Sequence, residues 1–376
     1  MIGKAWQVRQ TTLEVHLGHL RENFFHLKKQ AAAAELMVLL KSDAYGHSHQ
    51  EIAIALDSLP KEVGLHGFGV ANIEEGIELR RIKVRRPVYI LSGLQTMDED
   101  IYRCLQTCTL TPIISSLRVL HEIDSFTRRS SCPLSFHLKI NTGMNRLGID
   151  AAEISETISL LQKNTLLRMD GIFSHFSSAE KPTAPITKNQ VKQFRAVLSI
   201  FRENGFTPRY VHMENSSGLY NHCFPEGNIA RVGLHLYGVD NKKLQPVARW
   251  SAQVYQTRFL QKGDAVGYGP LFQAKKKMRM AILGVGYGDG YHRALSNRAD
   301  VLLQGRRCPV IGAISMDLTA VDVSKLSGNL ENTRAILMGR DGKEEITAVE
   351  LAKHAKCIPW EILTSISPRV PRIFTQ

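Results

Sequence analysis

A lysine at the end of an apolar run is the first residue that could carry chemistry. Lys41 closes the segment LMVLLK (36–41) and is followed by the turn-like SDAYGH. If the run is a buried strand, its last side chain enters the mouth formed by the strand ends, where partial desolvation lowers the pKa of an ammonium. Such an amine forms Schiff bases, so Lys41 is a candidate covalent anchor. By position alone, a lysine that extends past the strand into solvent is the alternative.

Polar residues also follow other apolar runs of the sequence. They occupy 139–146, 174–176, 212–218 and 231–234. Asn215, Ser216 and a glycine-bearing loop offer amide, hydroxyl and backbone N–H groups to a phosphate. Together with Lys41, an imidazole and an arginine, these groups are what a pyridoxal phosphate (PLP) site requires.

Such a site needs an architecture that brings the ends of the apolar runs together. Runs of strand length alternate with segments whose apolar residues are three or four apart, as in ANIEEGIELRRI (71–82). The predicted strands are 36–41, 66–71, 87–91, 110–114, 134–140, 168–176, 209–213 and 228–234. This alternation predicts parallel βαβ units and a (β/α)8 TIM-type barrel, whose active sites lie at the C-terminal strand ends. An open doubly wound sheet is the alternative, and the lack of GxGxxG after the first strand disfavours it.

The character of the sequence changes at about residue 246. Short strand-like pieces, such as RMAILGVGYG (279–288), replace the helical spacing, with Gly and Asp between them. We therefore predict an α/β chain with a barrel domain over 1–245 and a mostly β C-terminal domain over 246–376. A strand predicted at TTLEVHL (11–17) packs with the second domain or caps the barrel. Residues 1 to about 12 are expected to pack with the β domain.

Composition argues against several classes of protein. The 376 residues are 43% hydrophobic and 22% charged, which suffices for a large core. The sequence contains no apolar stretch of about 18 residues, so we predict no membrane-spanning helix. The segment MIGKAWQVRQ lacks the apolar region of a secretory signal. The six scattered cysteines do not form a disulfide framework. We therefore expect a cytoplasmic protein without a membrane partner.

The net charge of +13 raises the question of nucleic-acid binding. The densest basic runs, RRIKVRR (80–86) and KKK (275–277), are not interleaved with aromatic residues as a base-stacking surface would be. We therefore predict no nucleic-acid partner and a solvated basic surface that attracts anions. His47 and His49 flank a turn, and we assign them a structural role rather than a metal site.

Several motifs resemble those of the alanine racemase family, in the family's order and along nearly the whole chain. They are LKSDAYGH (40–47), LKINTGMNRLG (138–148), FSHFSSAE (173–180), HMENS (212–216), NIARVGLHLYG (228–238), VGYG (266–269), GVGYGDGYHR (284–293), GAISMD (312–317) and RVPRIF (369–374). One such motif would be weak evidence, whereas the ordered set indicates membership. The family's fold, a PLP barrel followed by a β domain, agrees with the architecture predicted above.

The resemblance implies a catalytic role for two residues and a cofactor role for several others. Lys41 would carry PLP and act as one of two bases, and Tyr287, supplied by the partner chain of a homodimer with shared active sites, would be the other. Arg231 would face the pyridine nitrogen with His212 behind it, and His175 would pack against the cofactor ring.

The resemblance also implies ligands for the phosphate and for the amino-acid substrate. The phosphate would be bound by Tyr45, Asn215, Ser216 and the backbone of Gly233 and Leu234. The substrate carboxylate would be bound by Arg146 and the backbone of Met316. Lys139 matches a lysine that is often carbamylated in the family and would then hold Arg146, while Asp317 supports its neighbour Met316.

The chemistry of racemisation agrees with this set. A proton must leave one face of the substrate and return to the other, which requires two bases on opposite faces. Lysine and tyrosine can both be tuned towards working pH by desolvation and by neighbouring cations. Arg231 is always protonated and gives up no proton, so the pyridine nitrogen stays neutral and the electron sink is weaker. A short-lived carbanion favours proton return over transamination.

Some positions depart from the family's pattern. Ser42 stands where the family usually has Ala, Asn141 where many members have Asp, and Ser315 where many have Cys. Pro368 stands where a phosphate-binding tyrosine often precedes the closing motif, which puts one phosphate contact in doubt.

The sequence thus predicts an isomerase that interconverts L-alanine and D-alanine by a two-base mechanism and supplies D-alanine for peptidoglycan. A racemase of serine or another amino acid is one alternative. A barrel PLP decarboxylase is another, although such enzymes usually place an acid where Arg231 stands. A non-catalytic PLP-binding protein is the third, and it would resemble the barrel alone.

Overall fold

The computed structural model describes residues 11–269 and 271–376 of the chain. Within those residues the chain divides into two compact units. The barrel unit comprises Phe24–Ala44 and His49–Leu236, and the β unit comprises the described residues up to Asn23 together with Tyr45–Ser48 and Tyr237–Gln376. The predicted division into domains at residues 245 and 246 stays a prediction.

The described part of the chain begins with strand β1 (Thr11–His16), and helix α1 (Leu17–Gln30) leads into the barrel unit. Among the residues described, the barrel unit holds one sheet of eight strands. These strands are β2 (Glu35–Leu39), β3 (Leu65–Val70), β4 (Val88–Ile90), β5 (Leu110–Ile114), β6 (Leu134–Lys139), β7 (Leu167–Phe173), β8 (Tyr210–His212) and β9 (Ile229–Val232).

The barrel strands run in the order β8-β7-β6-β5-β4-β3-β2-β9, and every neighbouring pair is parallel. The two outer strands also approach each other, since the N–H of Asn228 donates to the carbonyl of Val211 at 2.9 Å. The sheet is therefore a nearly closed barrel, which confirms the predicted TIM-type fold. The C-terminal strand ends meet at one rim, as such a barrel requires.

Helices connect the barrel strands. They are α2 (Lys41–Gly46), α3 (His49–Asp57), α4 (Ile73–Arg81), α5 (Glu99–Thr107), α6 (Leu117–Ser130), α7 (Ile154–Lys163), α8 (Pro185–Glu203) and α9 (Ser216–Asn221). Local sequence signals explain where several begin. The side chains of Asn72 and Asp98 cap α4 and α5, and Pro185 stands in the first turn of α8. All six residues of β3 are buried, as expected of a parallel strand covered on both faces.

The β unit is built around one long strand, β10 (Ala248–Leu260). The remaining elements are β11 (Met278–Leu283), β12 (Asp300–Leu303), β13 (Arg306–Pro309), β14 (Thr319–Asp322), β15 (Arg334–Asp341), β16 (Glu344–Ile346), α10 (Ala348–Ala355), α11 (Pro359–Thr364) and β17 (Arg372–Thr375). Strand β10 pairs antiparallel with β1, β11 and β15. The predicted mostly β C-terminal domain is therefore confirmed.

The N-terminal strand belongs to the β unit. Strand β1 pairs antiparallel with β10 and parallel with β17. Residues 1–10, for which the same packing was expected, lie outside the described residues. Among residues 11–269 and 271–376, no helix combines the length and apolarity needed to cross a lipid bilayer.

Candidate active site

Lys41 lies at the start of a left-handed turn rather than at the end of a strand. Strand β2 ends at Leu39, so the prediction that Lys41 closes the strand was wrong by two residues. The next four residues all have φ between +53° and +57°; they are Ser42, Asp43, Ala44 and Tyr45. Left-handed backbone costs a non-glycine residue about 1–2 kcal/mol, so specific contacts must hold this turn. The apolar pattern carries no signal for such a turn, which explains the error.

Two carboxylates of the barrel unit stabilise the turn. Glu75 accepts hydrogen bonds from the backbone N–H groups of Ser42 at 2.8 Å and Ala71 at 2.6 Å. Asp43 accepts from the backbone N–H of His49 at 2.8 Å, and the Nδ1 of the same histidine lies 2.7 Å from it. The hydrogen bond to Asp43 raises the pKa of His49 despite partial burial. His49 therefore helps to hold the turn through Asp43.

Arg231 is a buried cation of the barrel unit whose guanidinium has several close polar partners. It is 3% exposed, and its guanidinium lies 2.6 Å from Nδ1 of His212 and 3.1 Å from Nδ1 of His175. It also donates to the carbonyl oxygens of Ser174 at 2.8 Å and Met213 at 3.1 Å. Burial lowers the pKa of Arg231 to about 9, so the group stays charged at neutral pH. These contacts fix the orientation of the guanidinium.

A histidine that the sequence analysis missed continues this network. The Nε2 of His212 lies 2.9 Å from the Nδ1 of His137. Burial lowers the pKa of His137 to about 3 and that of His212 well below its usual value, so both rings are neutral. A Cβ on Gly171 would lie 2.6 Å from the His137 ring, so the neighbouring strand needs glycine there. The available signal was that His137 precedes Lys139 by two residues and shares its strand face.

Four cations converge in the barrel unit. The pKa of Lys139 falls to about 8, first through burial and then because Arg146, Arg231 and Lys41 repel its charge. The pKa of Lys41 is lowered by burial and by Arg146, while Glu75 opposes the shift. Like charges held together are unfavourable unless an anion joins them. The arrangement is therefore suited to an anionic ligand.

The loop that carries Arg146 is ordered by Asn141. Its Oδ1 accepts from the N–H groups of Gly143 and Asn145, each at 3.1 Å. Its Nδ2 donates to Asp150 at 2.7 Å. A carboxylate could accept the first two bonds and could not donate the third. Asparagine is thus well placed in this chain, although it departs from the family's usual residue.

The proposed phosphate ligands of the barrel unit lie near the start of α9. The hydroxyl of Ser216 accepts a hydrogen bond from the N–H of Gly233 at 3.1 Å, so two of the predicted phosphate ligands lie together. Leu234 follows directly and begins a 3-10 turn. Asn215 is the N-cap, and its Oδ1 accepts from the N–H of Gly218 at 2.9 Å. Its side chain therefore shapes the loop.

The β unit holds the remaining predicted residues. Tyr287 begins a 3-10 turn and is 43% exposed. Its N–H donates to the carbonyl of Ser315 at 3.0 Å, and the N–H of Gly288 donates to that of Met316 at 2.9 Å. A Cβ on Gly286 would lie 2.3 Å from the Ser315 oxygen, so this close approach requires glycine. Backbone hydrogen bonds thus connect the turn that begins at Tyr287 with the loop that contains Met316.

Tyr45, a predicted phosphate ligand, and Pro368, a departure from the family's pattern, also belong to the β unit. Tyr45 is buried, which raises its pKa, and its ring centroid lies 5.1 Å from that of Tyr237. Pro368 is exposed and directly precedes Arg369. Arg369 binds Asp317 at 2.8 Å, which places Asp317 with the residues around Tyr287 and Met316.

Two family models match the chain in succession. The alanine racemase N-terminal domain matches residues 15–241 and the alanine racemase C-terminal domain matches residues 247–374. A curated alanine racemase of Geobacter sulfurreducens is 35% identical over 378 residues, which cover 97% of this chain and 97% of the relative.

Solved structures share the fold. The crystal structure of alanine racemase from Bartonella henselae, with covalently bound pyridoxal phosphate, has a TM-score of 0.87 and 26% identity and covers 97% of this chain and 99% of its own. The crystal structure of alanine racemase from Bacillus anthracis, with bound L-Ala-P, has a TM-score of 0.88 and 28% identity and covers 99% and 96%. These similarities extend over both units.

Proposed function

Because the chain belongs to the alanine racemase family, we propose that it interconverts L-alanine and D-alanine with pyridoxal phosphate as its cofactor. The observation that carries the proposal is the group of cations around Lys41, whose mutual repulsion calls for an anionic ligand. The cofactor phosphate and the substrate carboxylate are both anions of the right kind.

The residues of the barrel unit fit this cofactor. Lys41 would bind its carbonyl carbon, and Ser216 and Gly233 would bind its phosphate. Arg231 would donate to the ring nitrogen, and His175 would pack on the ring. When bound, pyridoxal phosphate withdraws electrons from the substrate Cα and so makes its proton acidic. Tyr45, Asn215 and Leu234 would complete the phosphate site through a hydroxyl, the loop shape and a backbone N–H.

Lys41 and Tyr287 are the proposed bases. The lowered pKa of Lys41 favours its neutral amine, which accepts a proton from one face of the substrate. Tyr287 would serve the opposite face, where its phenol gives up a proton and recovers one in the reverse direction. Arg146 and the backbone of Met316 would bind the carboxylate and so fix which face each base meets.

A homodimer would supply the second base. Several large apolar side chains between residues 255 and 318 of the β unit are exposed, as Tyr287 is, and exposed apolar area is characteristic of protein–protein contact surfaces. They are Tyr255, Phe259, Tyr268, Leu271, Met316 and Leu318. We propose that Tyr287 of the partner subunit completes each site. The C-terminal domain, predicted from residue 246, would then contribute a base to the partner's active site. The family matches end at 241 and resume at 247, which is consistent with a domain boundary there.

Lys139 supports the substrate-binding arginine in this proposal. Its lowered pKa, about 8, provides a neutral amine that can react with carbon dioxide to form a carbamate. A carbamate is an anion, so it would attract Arg146 where an ammonium repels it. Asp317 would have a supporting role beside Met316.

Arg231 limits the reaction to racemisation. A guanidinium donates a hydrogen bond to the ring nitrogen without protonating it, so negative charge at Cα stays short-lived and the proton returns quickly. A decarboxylase of this fold would usually place an acidic residue beside the ring nitrogen, and Arg231 stands at that position in this chain. We propose that the product D-alanine serves peptidoglycan synthesis in the cytoplasm, where the chain's six free thiols would be stable.

A panel of L-amino acids assayed for loss of optical activity tests the function. We expect alanine to racemise fastest, with serine slower, since one extra polar atom or methylene changes the barrier by about 1–3 kcal/mol. Faster turnover of serine would move the assignment to another racemase of the same mechanism. Release of carbon dioxide without racemisation, or no turnover at all, would contradict the proposal.

A further inference from the structure

Arg369 joins two loops of the β unit that carry proposed site residues. Its Nε lies 2.9 Å from Oδ1 of Asp289, and its Nη2 lies 2.8 Å from Oδ1 of Asp317. The same Nη2 lies 3.4 Å from the carbonyl oxygen of Met316. Asp289 closes the turn that Tyr287 begins. One guanidinium therefore connects the Tyr287 turn with the Met316 loop.

The carboxylate of Asp289 is the buried part of this connection. It is 4% exposed, and its Oδ2 accepts the N–H of Gly286 at 3.0 Å while Oδ1 faces Arg369. A buried carboxylate requires a cation as well as hydrogen-bond donors. The guanidinium also packs on Gly288, where a Cβ would lie 2.6 Å from Nη2. Loss of Arg369 therefore disturbs the turn itself.

We propose that Arg369 is a positioning residue for racemisation, which holds Tyr287 in register with the Met316 loop. The proposal rests on the proposed function, because that function makes Tyr287 a base. A planar guanidinium can bind both carboxylates at once, whereas an ammonium is a single point of charge. Lysine at this position would therefore retain one loop and release the other.

Arg369→Met and Arg369→Lys test the proposal, with Arg340→Met as the matched control. Arg340 is an exposed arginine of the same unit whose Nε lies 3.0 Å from a carboxylate oxygen of Glu345, outside the proposed site. Deuterium exchange of backbone amides is measured in peptides that cover residues 284–291 and 313–319. We expect faster exchange in both peptides for Arg369→Met, an intermediate effect for Arg369→Lys, and wild-type exchange for Arg340→Met.

Kinetics with alanine that carries deuterium on Cα supply the second measurement. A misplacement of about 1 Å costs up to about 100-fold, so kcat of Arg369→Met should fall roughly 10- to 100-fold. The isotope effect should rise in the direction in which Tyr287 removes the deuterium. It should not rise in the opposite direction, where Lys41 removes it. This asymmetry is what general loss of folding would not produce.

Three results would decide against the proposal or its premise. Wild-type exchange and kcat in Arg369→Met would remove the positioning role. Equal losses in both directions with unchanged isotope effects would make Arg369 a general structural residue. If the wild-type enzyme racemises no amino acid, the proposed function fails, and with it the positioning role in racemisation.

Discussion

The Nδ1 atom of His212 lies 2.6 Å from the guanidinium of Arg231, and this contact fixes the proton on His212. A guanidinium only donates hydrogen bonds, so Nδ1 accepts and the ring proton sits on Nε2. That Nε2–H then donates to Nδ1 of His137, 2.9 Å away. Arg231 is thus held by a chain of two hydrogen bonds through the neutral rings of His212 and His137.

The first prediction concerns His137. In His137→Asn the amide oxygen can take the place of Nδ1 and accept from His212, whereas His137→Leu leaves that buried donor unsatisfied, at a cost of about 1–3 kcal/mol. We expect cofactor affinity to fall about tenfold or more for the leucine variant and much less for asparagine. Titration of the apoenzyme with pyridoxal phosphate, followed by absorbance, measures both. Equal affinities in the two variants would show that the hydrogen bond has no part in holding Arg231.

Gly171→Ala tests the same relationship from the neighbouring strand. Its added Cβ would lie 2.6 Å from the His137 ring, so the ring must move away from His212. We expect cofactor affinity to change in the same direction as in His137→Leu. Unchanged affinity, with the alanine accommodated, would mean that the ring can shift without disturbing the network.

The free energy of unfolding should decrease as pH rises, because of Glu214. Burial raises the pKa of Glu214 from 4.5 to about 7, Glu226 adds to this, and the N–H of Phe224 and Arg231 oppose it. The folded protein holds this proton more tightly than the unfolded chain does, so the stabilisation is complete below the unfolded pKa and is lost as pH rises through about 7.

In the wild-type structure the N–H of Phe224 donates to the Glu214 carboxylate at 3.0 Å. Glu214→Gln removes the titration and keeps an oxygen that can accept this hydrogen bond. The free energy of unfolding of wild type, relative to the variant, should fall by roughly 3 kcal/mol between about pH 4.5 and pH 7.5. Urea denaturation at several pH values measures it. A difference that is constant with pH, or that grows as pH rises, would contradict the assignment.

Lys41 should be the residue that retains the cofactor covalently. Borohydride reduction followed by intact-mass measurement should show one reduced cofactor on the wild-type chain and none on Lys41→Ala. Lys139→Met is the matched control, because it removes the neighbouring buried amine and leaves Lys41 in place. An adduct that persists in Lys41→Ala and disappears in Lys139→Met would show that Lys139, and not Lys41, binds the cofactor covalently.

Periodicity sufficed for the barrel because its parallel strands are buried on both faces and appear as continuous apolar runs, as β3 does. The left-handed turn after Lys41 was not predictable in this way, since Glu75, which lies far from it in sequence, helps to hold it. The link between His137 and His212 joins strands β6 and β8, which lie on either side of β7. Contacts of this kind depend on the pairing of strands that are far apart in the chain, which local sequence does not encode.

The bridge made by Arg369 illustrates the same limit for the β unit. The motifs around Tyr287, Met316 and Arg369 are visible separately, and their order along the chain does not reveal that one side chain binds two of them. Only the pairing of distant strands places these loops together. Sequence resemblance implied that Tyr287 and Met316 are site residues, whereas the proposed role of Arg369 rests on its distances to Asp289 and Asp317.

In the proposed mechanism, each active site combines Lys41 of one subunit with Tyr287 of the partner subunit. Lys41→Ala and Tyr287→Phe enzymes, each inactive by itself, are mixed under conditions in which subunit exchange is shown by mass. A hybrid dimer would contain one site with both bases intact, so we expect alanine racemase activity to return, up to about half of the wild-type value per hybrid dimer. No recovery despite proven exchange would contradict the shared two-base site.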